Sequence, residues 1–459
     1  MTTWPLLLLT LVAGLSASVS LARNPYEGRF VSYPIRHGTR NAQLFRRDAE
    51  VTLHNQSVLT YLLELDIGTP PQRVEVVLDT GSFELWVDPQ CSTASTTAQS
   101  ASCKEAGLYD PYSSSTVQDM GVVNELPYGK GVVDIAYVAD SVQVPGSSTM
   151  KEVVFGVGLE SRDLGYGIAG VGHGKGYNID YNNLIDELYA QGLTDSKAFS
   201  LALGSIDASD GGSIVFGGVD TKKFSGPLVR FRNLPPQDEG GGVAGPYRYW
   251  VQLDAIGVTK PGKRPSKYAD SALPIVLDSG STMSYLPRSV INQLMADLAG
   301  QTDSDGNIRV PCSTAATASQ GGGGGTVDFT LGALTVHVPF HEFVWQLAPD
   351  ECYVLAAAPL QAGTAILGDS FLRSAYAVFD QTNGDIYLAP YANCGSRERA
   401  LPAGPGAAAN FTGECSVGSG AGGGHGKGSA PSGRSVGMAG VAAGAAVALG
   451  LPALFFGLA

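Results

Sequence analysis

The sequence predicts an all-β protein of two similar lobes related by a pseudo-two-fold axis, and three observations lead there. Residues 58–395 are dominated by short apolar runs of strand length, punctuated by Gly, Pro, Asn and Asp, with little helical periodicity. One seven-residue pattern, Val76-Val77-Leu78-Asp79-Thr80-Gly81-Ser82, recurs 199 positions later as Ile275-Val276-Leu277-Asp278-Ser279-Gly280-Ser281. Each copy is followed at a matched distance by an apolar pair and a glycine: Ile168-Ala169-Gly170 begins 89 residues after Asp79, and Ile366-Leu367-Gly368 begins 88 after Asp278. A single Asp-Thr-Gly is an ordinary turn or bulge. Two copies in the same apolar context, with matched downstream elements, are an internal repeat.

Taken in order, the runs at residues 58–63, 74–78, 212–216 and 375–379 are read as strands. Two helices are expected, Leu184–Gln191 before Gly192 and Arg288–Leu298 before Gly300. The N-terminal lobe is placed at residues 48–225 and the C-terminal lobe at 226–395.

The ends follow different rules. Residues 1–22 have the apolar stretch and small-residue finish of a secretory signal; a short membrane anchor is the alternative, but the stretch falls below spanning length. Residues 23–47 carry Arg23, Arg29, Arg36, Arg40, Arg46 and Arg47 against the single acid Glu27, and end in the dibasic pair Arg46-Arg47. The whole chain of 459 residues has a net charge of −13; without residues 1–47 there remain 23 basic groups against 41 acids, a net of −18. A basic leader joined to an acidic body at a dibasic site is read as a pro-segment, cut by a kexin-like protease; a merely disordered basic arm is the alternative. Residues 396–435 are read as a Gly/Ser-rich stalk and 436–459 as an uncharged apolar tail. Small residues, a polar spacer and such a tail form the signal for a glycolipid (GPI) anchor, with attachment between Ser419 and Ser429; an ordinary spanning helix is the alternative. The acidic balance argues against nucleic acid. An apolar share of 44% with 15% charged residues excludes wholesale disorder.

The chemistry lies in the repeated Asp. Each ends an apolar strand and enters a glycine turn flanked by hydroxyls. If the halves pack about a two-fold axis, Asp79 and Asp278 meet, and two carboxylates that close share a proton and titrate as a pair. One member can then activate a water while the other protonates a carbonyl, giving hydrolysis without a cofactor or metal.

These motifs resemble the pepsin family of aspartic endopeptidases, most nearly its secreted or surface-anchored fungal members. The likeness runs through Leu78-Asp79-Thr80-Gly81-Ser82 with Leu85-Trp86-Val87, through Leu277-Asp278-Ser279-Gly280-Ser281, and through residues 366–373, Val378-Phe379-Asp380 and Leu388-Ala389-Pro390. The resemblance implies that Asp79 and Asp278 hold the nucleophilic water, that Thr80 and Ser279 link the two loops across Gly81 and Gly280, and that Ser82 and Ser281 brace the carboxylates. It also implies a hairpin flap at Tyr128-Gly129-Lys130-Gly131, with the Tyr128 hydroxyl reaching the Trp86 indole. Lys130 departs from the neutral or acidic residue common there; it either disfavours basic substrate residues or is a surface lysine at the hairpin tip.

Six cysteines allow fifteen pairings. Proximity favours Cys91–Cys103, the resemblance implies Cys312–Cys352, and Cys394–Cys415 takes the remainder. Asn55 and Asn410 head glycosylation motifs. Gly165-Tyr166-Gly167-Ile168-Ala169-Gly170 fits a dinucleotide pattern but lacks its βαβ context, and no cysteine or histidine spacing suits zinc. The expected protein is therefore a monomeric, acid-active protease on peptide and protein substrates, made as a zymogen and anchored outside the plasma membrane or in the cell wall. A catalytically silent peptide-binding protein of the same fold is the alternative, and a two-carboxylate glycosidase a more distant one.

Overall fold

The computed structural model describes residues 28–41 and 57–416, apart from 89, 92–96, 130, 163, 207–211, 239–241, 304–305, 316–323 and 360–363. The signal, Arg46-Arg47, Asn55, Lys130, the Ser419–Ser429 attachment region and the tail lie outside the described residues.

The repeat predicted from spacing is built as a repeat of strand order. In the first half, Ser57–Ile67, Gln72–Asp79, Gly167–Gly170, Leu85–Val87 and Met150–Arg162 are successive neighbours. In the second, Trp250–Leu253, Leu273–Leu277, Ile366–Leu367, Ser284–Tyr285 and Ala356–Ala357 occur in the same order. Directions match too: Gln72–Asp79 runs parallel to Gly167–Gly170 with Asp79 opposite Gly170, and Leu273–Leu277 runs parallel to Ile366–Leu367 with Leu277 opposite Leu367. The two apolar-pair-Gly segments therefore back the two Asp loops. Their glycines are required by contact, since a Cβ on Gly170 would lie 2.5 Å from the Phe83 and Glu84 nitrogens, and one on Gly368 2.3 Å from the Ser281 carbonyl oxygen.

Alternation along these strands buries one continuous core, from Leu63, Leu65 and Val76 through Phe199 and Phe379 to Ile275 and Leu367. The halves are stitched by antiparallel pairing: Ala375–Asp380, from the second half, lies against Ala198–Ala202 of the first. Both expected helices form, as Leu184–Ala190 and Arg288–Asp297. The first begins in a reciprocal capping box between Asn183 and Asp186, and the Asn183 amide also donates to the Phe83 and Gly172 carbonyls. That helix cap is thereby fixed to the first active loop. A further helix, Thr97–Glu105, falls in a Ser/Thr/Ala-rich stretch whose polar sequence has no amphipathic period to betray it.

All three expected disulfides are present, Cys91–Cys103, Cys312–Cys352 and Cys394–Cys415. One predicted segment proves to hold a strand, and one sequence boundary moves. Residues 31–41, inside the predicted leader, form a strand of the main sheet: Val31–Ile35 pairs with Gly212–Phe216, Arg36–Asn41 pairs with residues 57–62, and Ile35 is fully buried. Of the leader's arginines, Arg29 is engaged by Asp195 and Arg36 by Glu75. At the other end, residues 396–416 are body rather than stalk. Glu398–Ala400 pairs with Gly218–Asp220, Thr412–Glu414 pairs with Ser225–Pro227, and Leu401, Ala408 and Phe411 are buried. Gly and Pro in this tract make turns, including Gly406 at φ +70°, and its scattered apolar residues fill a secondary core.

Candidate active site

Two strands end at one point. Leu78 and Leu277 are wholly buried, and the chain leaves each through an Asp into a glycine turn. The turns interlock with two-fold regularity. The Thr80 hydroxyl donates to the Leu277 carbonyl at 2.9 Å and accepts the Ser279 N–H at 2.9 Å; the Ser279 hydroxyl donates to the Leu78 carbonyl at 2.7 Å and accepts the Thr80 N–H at 3.2 Å. Four hydrogen bonds between buried groups fix the loops against each other, and each lost partner leaves another group unsatisfied.

This grip forces the carboxyls together. A Cβ on Gly81 would fall 2.5 Å from the Asp278 carboxyl carbon, and a Cβ on Gly280 2.3 Å from an Asp79 oxygen. Only glycine fits at either place. The Gly81 N–H donates to Asp79 Oδ1 at 2.7 Å and the Gly280 N–H to Asp278 Oδ1 at 2.8 Å. Outside the turns the symmetry fails. The Ser82 hydroxyl donates to Asp79 Oδ2 at 2.6 Å, as expected, whereas the Ser281 hydroxyl donates to the Met283 carbonyl at 2.9 Å. Ser281 therefore braces its own turn and not Asp278, a correction to the expectation. Burial, the Asp79 charge and the hydrogen bond to Asp79 push the Asp278 carboxyl well above the ordinary carboxylate range, with Arg248 and the Gly280 N–H opposing. Asp278 is thereby held above the usual carboxylate range and is favoured to carry a proton.

Above the pair stands a hairpin of Gln118–Tyr128 and Gly131–Gln143, with Tyr128 opposite Gly131. Gln118–Tyr128 is the sheet's edge strand and most of it is exposed, which suits a movable cover. Tyr128 turns inward, and its hydroxyl accepts the Trp86 indole N–H at 3.0 Å. Burial and the nearby Asp79 push that hydroxyl's pKa up, so it stays protonated. Asn410 is exposed on the surface.

Sequence reasoning missed two participants. Glu84 is buried behind the first loop and accepts both the Tyr137 and Tyr181 hydroxyls at 2.5 Å, tying the hairpin to the segment before the 184–190 helix. Arg248 donates from its guanidinium to the Gly81 carbonyl. An acid five residues beyond a catalytic-type Asp is a visible anomaly in an otherwise apolar run; Arg248 sits in no motif and carries no such signal.

The arrangement is matched by known proteins. A sequence profile described as eukaryotic aspartyl protease covers residues 60–391. A probable aspartic-type endopeptidase opsB of Aspergillus oryzae is 32% identical over 363 residues, 75% of this chain and 70% of that one. Secreted aspartic protease 5 of Candida albicans is 31% identical over 395 residues, 81% of this chain and 86% of that one. The crystal structure of an aspartic proteinase from Irpex lacteus superposes with a TM-score of 0.58 at 17% identity, over 79% of this chain and 98% of the other, a likeness of fold.

Proposed function

The chain belongs to the eukaryotic aspartyl protease family and is an aspartic-type endopeptidase, and from that premise we propose that Asp79 and Asp278 are its catalytic dyad, acting at acid pH on extended peptides held beneath the hairpin. In this reading the Asp79 carboxylate takes a proton from a water as the water oxygen adds to the peptide carbonyl carbon, and Asp278 gives its proton to the carbonyl oxygen. The tetrahedral intermediate then collapses: Asp79 returns its proton to the amide nitrogen, the C–N bond breaks, and Asp278 regains a proton from a hydroxyl. The observation that carries this is the shared Thr80–Ser279 grip with the carboxyls packed against each other's glycines. Tyr128, its hydroxyl held by the buried Trp86 indole, would close over the substrate and exclude water.

The enzyme is proposed to be made as a secreted zymogen, processed at Arg46-Arg47 and held at the outer face of the membrane by a GPI anchor. Secretion is supported by relatives named as secreted aspartic proteases. The basic leader would lie in the sheet, where Arg29 and Arg36 meet acids of the body, rather than reach the dyad. The stalk would begin after residue 416.

Activity is tested by incubating the processed protein with a mixed peptide library and a statine peptide, whose hydroxyl mimics the tetrahedral intermediate. Acid-range cleavage blocked by the statine peptide is expected; tight binding without cleavage would favour the silent binding protein. Release of the native protein from cells by a phosphatidylinositol-specific phospholipase tests the anchor, and retention would favour a spanning helix.

A further inference from the structure

His173 lies where the first active loop meets the second half of the protein. The two residues before it back that loop: the Val171 N–H donates to the Asp79 carbonyl at 2.9 Å and the Gly172 N–H to the Ser82 carbonyl at 2.8 Å. From the second half, the Tyr249 hydroxyl donates to the Val171 carbonyl at 2.7 Å and the Gln381 amide to the Gly172 carbonyl at 3.0 Å. The buried His173 imidazole sits among three rings, its centroid 4.7 Å from that of Tyr247 and 5.0 Å from those of Tyr177 and Tyr249. Its Nε2 is 3.1 Å from the side-chain nitrogen of Asn233. That contact fixes the state of the ring. The Asn233 side-chain oxygen accepts the Trp250 N–H at 2.8 Å, so the amide turns its NH2 toward His173. Nε2 is then the acceptor, and the proton of the neutral imidazole sits on Nδ1, which is buried with no hydrogen-bond partner among the described residues. A second proton, on Nε2, would set two donors against each other. It would leave a buried cation with no acceptor at either nitrogen.

We propose that His173 is a positioning residue for the first active loop that works only as the neutral imidazole, so that its protonation sets an acid limit on activity separate from the dyad's own titration. The inference rests on Asp79 and Asp278 being the dyad. While the ring is neutral, the bond to Asn233 ties the segment behind Asp79 to the strand that begins at Trp250. Protonation breaks that tie and loosens the backing of the loop. The charged groups around the ring are already engaged. Asp186, on the 184–190 helix, is held by Lys197 at 2.6 Å and by the Lys175 N–H at 2.9 Å. Arg232, next to Asn233, pairs with Asp385 at 3.4 Å, and Arg248, between the two tyrosines, donates to the Gly81 carbonyl. Burial pushes the Tyr247 and Tyr249 phenols up, so both stay neutral in acid. Burial likewise pushes the imidazole down to about 4, with Asp186 opposing.

The unfolded chain takes up this proton near the ordinary histidine pKa of about 6.5, and the folded protein only near 4. Stability from the neutral ring is therefore whole above about pH 6.5 and drains away as pH falls to about 4. The test compares urea midpoints of the processed wild-type protein and His173→Phe, which keeps an aromatic ring among the tyrosines but cannot take a proton. The variant should be the less stable at neutral pH, having lost the bond to Asn233. Its folding constant should then gain on wild type by about a hundredfold between about pH 7 and pH 4. Its kcat/KM on an uncharged peptide, as a ratio to wild type, should rise over about pH 5 to pH 3. A stability difference constant with pH, which a merely structural role would give, or a flat activity ratio, overturns the proposal. If the variant does not fold, the imidazole 15N resonances of wild type carry the test. A His173 proton on Nδ1 near neutral pH, with ionisation delayed to about pH 4, is expected. A proton on Nε2, or ionisation near the ordinary 6.5, overturns it. Cleavage surviving in Asp79→Asn would overturn the dyad assignment instead.

Discussion

The two active loops are alike where they touch each other and unlike where they face the rest of the protein. Thr80 and Ser279 make the same pair of bonds in opposite directions, and Gly81 and Gly280 each leave room for the other loop's carboxyl. One residue further on, Ser82 holds Asp79 while Ser281 holds its own turn. Symmetry builds the pair, and the failure of symmetry sorts its members. Asp79 has an extra hydroxyl donor; Asp278 is without that counterpart, and desolvation with the nearby Asp79 pushes its pKa up. In the proposed mechanism this difference assigns two chemically identical side chains the roles of base and acid.

Removing either carboxylate should have the largest effect. Asp79→Asn and Asp278→Asn are each expected to lower kcat/KM on an uncharged peptide by about a thousandfold or more, since base and acid are both needed; a surviving rate in either would mean the two are not a unit. The outer brace comes next, and here the loops should part company. Ser82→Ala removes a bond to a charged group worth about 1.5–3 kcal/mol. In the proposed mechanism it should move the acid limb of the pH–rate profile upward, because that hydroxyl bonds the carboxylate form of the base. Ser281→Ala should leave that limb in place. Equal shifts would show the difference between the loops to be inconsequential. The inner grip should respond evenly: Thr80→Val and Ser279→Ala are each expected to lower unfolding free energy by about 1–3 kcal/mol, read from urea midpoints. The smallest effect is expected at the cover, where Tyr128→Phe loses one neutral hydrogen bond of about 1 kcal/mol and should reduce kcat/KM about fivefold with stability little changed.

Much of this was legible in the sequence for a physical reason. A strand that ends at an Asp and must be backed by a parallel strand leaves two marks at a fixed separation, and the separations of 89 and 88 residues register the same crossover twice. The glycines were legible too, because only glycine tolerates a carboxyl at 2.5 Å. What escaped was whatever depends on a side chain's choice between partners. Ser281 is identical in type to Ser82, and nothing local says that its hydroxyl will prefer the Met283 carbonyl. Arg248 reaches Gly81 across 167 positions, and Leu401 and Phe411 find a core only because a disulfide and two short strands fold a Gly-rich tract back onto the body. The strand inside the leader escaped for a related reason: the leader's charge is conspicuous, while the alternation that seats Ile35 in the core is brief.

The division of labour between the two carboxyls can be observed directly by neutron diffraction from crystals of the free enzyme exchanged into heavy water near pH 5. A deuteron on the Asp278 carboxyl, with none on Asp79, is the predicted result. A deuteron on Asp79 instead, or on neither, would contradict the account.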